Sequence, residues 1–274
     1  VKRRFNTENR VNFRSGVNTE TQVKYSEEGE ELLRALLFDL DGTLLPLNQE
    51  EFMRNYFRAL VPAVAPFVDK DVAIAQIMAC TEKMIHNEEP QWTNEQVFWE
   101  SFSAVSAAPL APLKQATDEF YRTRFAHLQS ASQRTPQARE VCNLANEKGY
   151  VLVLATNPVF PEIAIRHRMA WAGIEDVPFT LVTTMENMHY CKPSPKYFME
   201  IAEKIGVSPE ECMMIGNDVQ EDGVAGKSGM ETFLVTDNLL DRGEPVREFT
   251  HQGNLTELLE FVQGIPALTS TQRG

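Results

Sequence analysis

Two aspartates, Asp39 and Asp41, follow an apolar run in ALLFDLDGTLL, residues 35–45. The run suits a strand covered on both faces, and ligands of open α/β sheets bind beyond the carboxyl ends of such strands. Gly42 bends the chain there and frees Asp41 to turn toward the site; an ordinary Asx turn is the competing reading. Thr156 and Asn157 follow a second apolar run, VLVLA at 151–155. A hydroxyl and a main-chain N–H at a strand end are suited to hold a phosphoryl oxygen, although Thr-Asn-Pro is also a common loop start. Lys192 lies in YCKPSPKYF, where Pro193 keeps it extended and aims it away from the helix that Ser194 and Pro195 begin. Lys196 falls inside that helix and is expected to face solvent.

CMMIGNDVQED adds Asp218 and Asp222 beyond another apolar run. Taken singly, Asp218 reads as an Asx turn or N-cap and Asp222 as a first-turn partner of a helix dipole. Four carboxylates crowded into one site repel each other unless cations neutralise them. Mg²⁺ with oxygen ligands, together with Lys192, would do so.

Such residues need a scaffold that ends several strands at one place. Apolar runs predict strands at 35–38, 151–155, 179–183, 212–216 and 231–236. Helical patterns lie between and after them, at 136–148, 160–172, 194–205, 221–228 and 254–263. Strands alternating with helices predict an α/β fold, a Rossmann-like parallel sheet with helices on both faces. From Leu47 to about Leu128 the period is helical, and a polar stretch, QSASQRTP at 129–136, separates this insert from the rest. Phe52, Tyr56 and Leu60 mark a helix over 49–61 that Pro62 and Pro66 should break or kink. Further helices are expected over 71–86, behind an N-cap at Thr93, and over 112–128. The expected organisation is a polar arm at 1–30, an α/β core at 31–46 and 135–274, and an all-helical insert at 47–134.

The chain has 274 residues, 43% hydrophobic and 24% charged, with a net charge of −13. That charge argues against a broad nucleic-acid or acidic-membrane surface, so neither partner is expected, while a phosphorylated ligand stays compatible. Lys2, Arg3 and Arg4 read as a solvated tail. No apolar run has the length of a membrane helix, and the first residues lack the apolar region of a secretory signal. Cys80, Cys142, Cys191 and Cys212 show no C-x-x-C spacing, which implies reduced thiols and a cytoplasmic location. The histidines, His167 and His189 among them, are scattered and read as structural or surface residues.

In chain order the motifs are D-x-D-G-T-L, an apolar run ending in T-N, K-P, and an apolar run ending in G-N-D-x-x-x-D. This pattern resembles the haloacid dehalogenase-like hydrolase superfamily over about residues 35–240. The helical insert looks like that superfamily's cap between its first and second motifs. By this resemblance Asp39 is a nucleophile that forms an aspartyl-phosphate, and Asp41 protonates the leaving oxygen and then activates water. Thr156 and the Asn157 amide would hold the phosphoryl group, and Lys192 would neutralise it together with the nucleophile. Mg²⁺ would sit on Asp39, Asp218 and a backbone carbonyl, that of Leu40 or of position 41. Asp222 would orient Lys192 or reach the metal through water. Dehalogenases of this kind lack the second aspartate, because halide leaves without a proton, so Asp41 favours phosphate chemistry. The resemblance implies a Mg-dependent phosphatase acting on a small phosphorylated metabolite. A phosphosugar mutase of the β-phosphoglucomutase kind shares the motifs, and a catalytically silent module would need one of them broken. Trp92, Trp99, Arg122 and Arg124 read equally well as core aromatics and solvated cations. The substrate and the oligomeric state are not written in these motifs.

Overall fold

The computed structural model describes residues 33–106, 109–269 and 272. The arm expected at 1–30, with Lys2, Arg3 and Arg4, lies outside the described residues. Among the described residues six strands form one parallel sheet: β1 (Ala35–Phe38), β2 (Val151–Leu154), β3 (Leu181–Val182), β4 (Cys212–Gly216), β5 (Glu231–Val235) and β6 (His251–Gly253). Their order is β3-β2-β1-β4-β5-β6, so β1 is central and the order reverses between it and β4. Ligands of open α/β sheets bind at such a reversal.

Side-chain alternation explains why these short strands are apolar throughout. Leu36 and Phe38 enter one core together with Leu152, Leu154, Met213 and Ile215. Ala35 and Leu37 enter a second core with Val153, Cys212 and Met214. All four residues of β1 are fully buried. Burying each of the larger ones stabilises the fold by about 1.5–3 kcal/mol. Helices α5 (Pro136–Glu147), α6 (Glu162–Ala172) and α8 (Leu255–Gly264) cover the first face, and α7 (Pro195–Ile205) covers the second.

Between β1 and α5 the chain forms α1 (Gln49–Val64), α2 (Lys70–Ile85), α3 (Asn94–Val105) and α4 (Leu110–Thr123). Thr93 caps α3 in a reciprocal capping box with Gln96. Aromatic side chains pack this block on the sheet domain: Phe125 stacks on Trp171 with ring centroids 5.5 Å apart, and Tyr56 meets Phe160 edge-on at 5.4 Å. Two main-chain bonds also tie the start of α3 to the sheet domain, Asn94 N–H to the Met188 carbonyl and Glu95 N–H to that of Met185, both 2.8 Å.

Four expectations change. The first helix runs through Pro62 to Val64, because Pro62 and Arg58 are both on the exposed side, where the unpaired Arg58 carbonyl can turn to water. The helix expected over 112–128 stops at Thr123, and Phe125–Ala131 continues as a 3₁₀ helix. The helix expected at 221–228 is also 3₁₀, over Asp222–Ser228. β6 carries no apolar pattern and exists because β5 offers it an edge, with Phe233 opposite His251. Among the described residues no helix is long and apolar enough to cross a membrane.

Candidate active site

Register decides which residues meet. Phe38 lies opposite Leu154 on one side and Ile215 on the other, so the three central strands end level. Asp39, Thr156 and Asp218 therefore emerge at one edge. Gly42 takes φ +88°, and a Cβ there would stand 2.3 Å from Asn217 Nδ2. That turn returns through Gly42 N–H to the Leu45 carbonyl and Leu45 N–H to the Leu40 carbonyl, each 2.8 Å. Thr43, inside it, donates its hydroxyl to Asn217 Oδ1 at 3.0 Å and stands 3.4 Å from Asp39 Oδ2.

Lys192 reaches this edge from the loop before α7. Its ammonium donates to Asp39 Oδ1 at 2.8 Å and to Asp222 Oδ1 at 2.6 Å. It is 1% exposed. Burial alone pulls its pKa down, but Asp222 and Asp39 overrule burial and hold it well above the ordinary lysine value. Burial pushes Asp39 up, and Lys192 pulls it only part of the way back. The same balance puts Asp222 at about 6. A Cβ at Gly216 would lie 2.0 Å from Asp222 Oδ2, so only glycine lets that carboxylate in. Asn157 fixes Lys192 from behind, accepting its N–H at 3.2 Å and donating to its carbonyl at 3.4 Å. Lys196 is half-exposed and paired with Glu88, as its helical position predicts.

Asp218 Oδ1 accepts the main-chain N–H groups of Gln220 and Glu221, at 3.0 and 2.9 Å. The Asx-turn reading and the site reading of Asp218 thus describe one side chain. Both its oxygens also receive Arg242, at 2.7 and 2.6 Å. Asp41 Oδ2 pairs with Arg168 Nη1, and its Oδ1 is buried without a partner among the described residues. Thr156 is buried, its carbonyl held by the Thr183 hydroxyl at 2.6 Å and the Tyr197 hydroxyl at 2.9 Å.

Asp39, Asp41, Thr156, Asn157, Asp218 and Asp222 all line one cavity of about 290 Å³. Lys192 is buried behind its carboxylates. The helical block closes the cavity with Met53, Tyr56, Phe57 and Ile77. Trp92, Trp99, Arg122 and Arg124 do not line it. The Leu40 carbonyl, one of the two backbone oxygens expected as a metal donor, accepts from both Thr43 N–H at 3.2 Å and Leu45 N–H at 2.8 Å within the turn.

Three charged wall residues escaped sequence reasoning: Arg168, Glu221 and Arg242. Arg168 had a signal, since it interrupts the buried stripe of α6 formed by Ala164, Ile165, Met169 and Ala172. Arg242 lies in a loop with no pattern to mark it. Burial, then the neighbouring Asp218, push Glu221 up to about 7.

Among the described residues no three His, Cys, Asp or Glu side chains stand close enough together to hold a metal ion. The donor set nevertheless fits a hard cation. Asp39, Asp41, Asp218, Glu221 and Asp222 face one cavity with the oxygen donors a hard cation takes, and burial holds Asp39, Glu221 and Asp222 above their ordinary values, with neighbouring carboxylates adding to the shift. Arg242 supplies the positive charge beside Asp218.

A doubly covered parallel sheet, with carboxylates and a buried lysine gathered where its order reverses, defines an α/β enzyme. Residues 33–229 match the haloacid dehalogenase-like hydrolases, and the chain belongs to that family. It is 27% identical over 210 residues to the glyceraldehyde 3-phosphate phosphatase of Methanopyrus kandleri, covering 74% of this chain and 84% of that protein. It is 25% identical over 193 residues to the phosphoglycolate phosphatase of Haemophilus influenzae, covering 69% and 79%. The crystal structure of a HAD phosphatase from Thermococcus onnurineus shares the fold, with a TM-score of 0.54 and 23% identity over 86% of this chain and 100% of that one.

Proposed function

We propose that this phosphoric monoester hydrolase cleaves a small phosphorylated metabolite through a covalent phosphoaspartate on Asp39. The observation that carries the reading is the Lys192 ammonium, buried between Asp39 and Asp222 directly behind a cavity that Asp39 also lines. Buried charge is costly, and a carboxylate held this way at a cavity wall is poised for nucleophilic work rather than for stability.

An Asp39 oxygen attacks phosphorus as the bond to the ester oxygen breaks, and that oxygen leaves with a proton from Asp41. Water then attacks the phosphoaspartate, gives a proton to Asp41, and releases phosphate and Asp39. The Thr156 hydroxyl and the Asn157 N–H hold the transferring group, and Lys192 opposes its charge. Asp222 positions Lys192 through their 2.6 Å contact. Asp39, Asp218 and the carbonyl of Asp41 would hold Mg²⁺, which supplies positive charge to the phosphoryl oxygens. For that, Arg242 has to leave Asp218. Residues 47–134 act as the cap, excluding water with the apolar side chains of α1 and α2. The unpaired, buried cysteines support a reducing, cytoplasmic setting.

Acid-quenched single turnover with a labelled phosphoester tests the mechanism. The label should remain on the peptide containing Asp39, and the Asp39→Asn protein should lack both label and turnover. Turnover without labelled peptide overturns the covalent route.

A further inference from the structure

Arg168 is 1% exposed and lines the same cavity as Asp39 and Asp41. Among the described residues only Nη1 has a partner, Asp41 Oδ2; Nε and Nη2 are buried with none. These two nitrogens form one edge of the guanidinium, with parallel N–H bonds that match the two oxygens of a carboxylate. The guanidinium carbon lies over the Phe160 ring, 4.6 Å from its centroid, which helps hold the group in place. The other cations at the site are committed, Lys192 to Asp39 and Asp222 and Arg242 to Asp218. Asp41 Oδ1 is the second orphan, buried and unpartnered on the carboxylate that Arg168 touches. Buried charged donors left unpaired are costly, and their persistence at a ligand cavity calls for a ligand group.

We propose that Arg168 receives a carboxylate on the leaving group, so that the substrate is a phosphomonoester of a small hydroxycarboxylic acid. This rests on the phosphatase reading, in which Asp41 serves the leaving oxygen. The two orphans then match two groups of one small molecule. Asp41 Oδ1 meets the ester oxygen, and the Nε–Nη2 edge meets a carboxylate one carbon away. Arg168 is thus a specificity-determining residue, and its contact with Asp41 couples recognition of the acid to the group that delivers the proton.

The test compares kcat/KM for 2-phosphoglycolate with that for 2-hydroxyethyl phosphate, in which the carboxylate is replaced by a hydroxymethyl group. Wild-type protein should favour the carboxylated ester by about 10- to 100-fold, the range set by paired charged hydrogen bonds. Arg168→Gln should bring the ratio near one, and Arg168→Lys, which keeps the charge without the fork, should fall between. An equal loss on both esters, or a wild-type ratio near one, overturns the proposal and leaves Arg168 as a support for Asp41. Calorimetry with glycolate gives a readout without turnover: wild-type protein should bind it and Arg168→Gln should not. Glycolate binding through Arg168 without hydrolysis of either ester would sink the phosphatase reading and keep the anion site. Hydrolysis with no effect of Arg168 on the ratio or on glycolate would do the reverse. Arg168→Lys carries the comparison should the glutamine variant fail to fold.

Discussion

Replacing Lys192 with methionine keeps the length and apolar stem of the side chain and removes its charge. In the native protein that charge lies 2.8 Å from Asp39 and 2.6 Å from Asp222, and all three groups are nearly inaccessible. Removing one partner from a buried ionic cluster costs about 3–5 kcal/mol. At this chain length that corresponds to roughly 6–20 °C in Tm. The deficit should also depend on pH with a definite sign. Asp222 already sits at about 6 and Asp39 above its ordinary value with the ammonium present, and its loss moves both further up. A carboxyl whose folded pKa exceeds its unfolded one contributes stability at low pH that is lost as pH rises through the folded value. Lys192→Met should therefore be most impaired near pH 8 and recover part of the difference near pH 5. Urea unfolding followed by circular dichroism in a chelating buffer, at both pH values, measures this. Adding Asp222→Asn should restore part of the loss, with a coupling of about 0.5–3 kcal/mol. A deficit under about 1 kcal/mol at pH 8, or one that does not change with pH, would refute the electrostatic account of this cluster.

Asp39→Asn should lower kcat by several orders of magnitude, up to roughly a millionfold, in a protein that still folds by circular dichroism; turnover close to wild type would remove Asp39 as nucleophile. Asp218→Ala should weaken Mg²⁺ binding measured by calorimetry, and an unchanged affinity would take Asp218 out of the metal site. Arg242→Ala should tighten the same binding, because the guanidinium holds both oxygens that the ion needs; no gain would show that Arg242 does not compete. Gly42→Ala should destabilise the protein by about 1–3 kcal/mol in chemical denaturation, since φ is +88° and Asn217 fills the space a methyl group needs. Phosphate released from a sugar phosphate without formation of an isomeric ester would exclude the mutase reading.

The sequence alone determined five strands of the sheet, its two-sided covering, and the strand ends that carry Asp39, Thr156 and Asp218. Alternation and the helical period are local properties, and four apolar residues ahead of Asp39 can be buried only in a central strand. Local chemistry likewise announced Thr93 as a cap and Ser194 and Pro195 as a helix start. The turn at Gly42 was legible for the same reason, because only glycine takes its backbone angle cheaply.

Only the tertiary structure decided what each site residue touches. Asp41 and Arg168 are 127 residues apart, and Lys192 and Asp39 are 153 apart. No spacing rule reaches across such distances; register and packing bring them together. The structure showed Asn157 clamping the Lys192 backbone with its side chain, occupied the Leu40 carbonyl within the turn, and placed Arg242 on Asp218. It also carried the first helix through Pro62 and added β6, since a solvent-facing carbonyl tolerates a missing partner and an open strand edge recruits one. Carboxylates at the strand ends were thus written in the chain, whereas their counter-charges and the free edge of Arg168 came from the fold, because pairing in space is set by which surfaces pack and not by distance along the sequence.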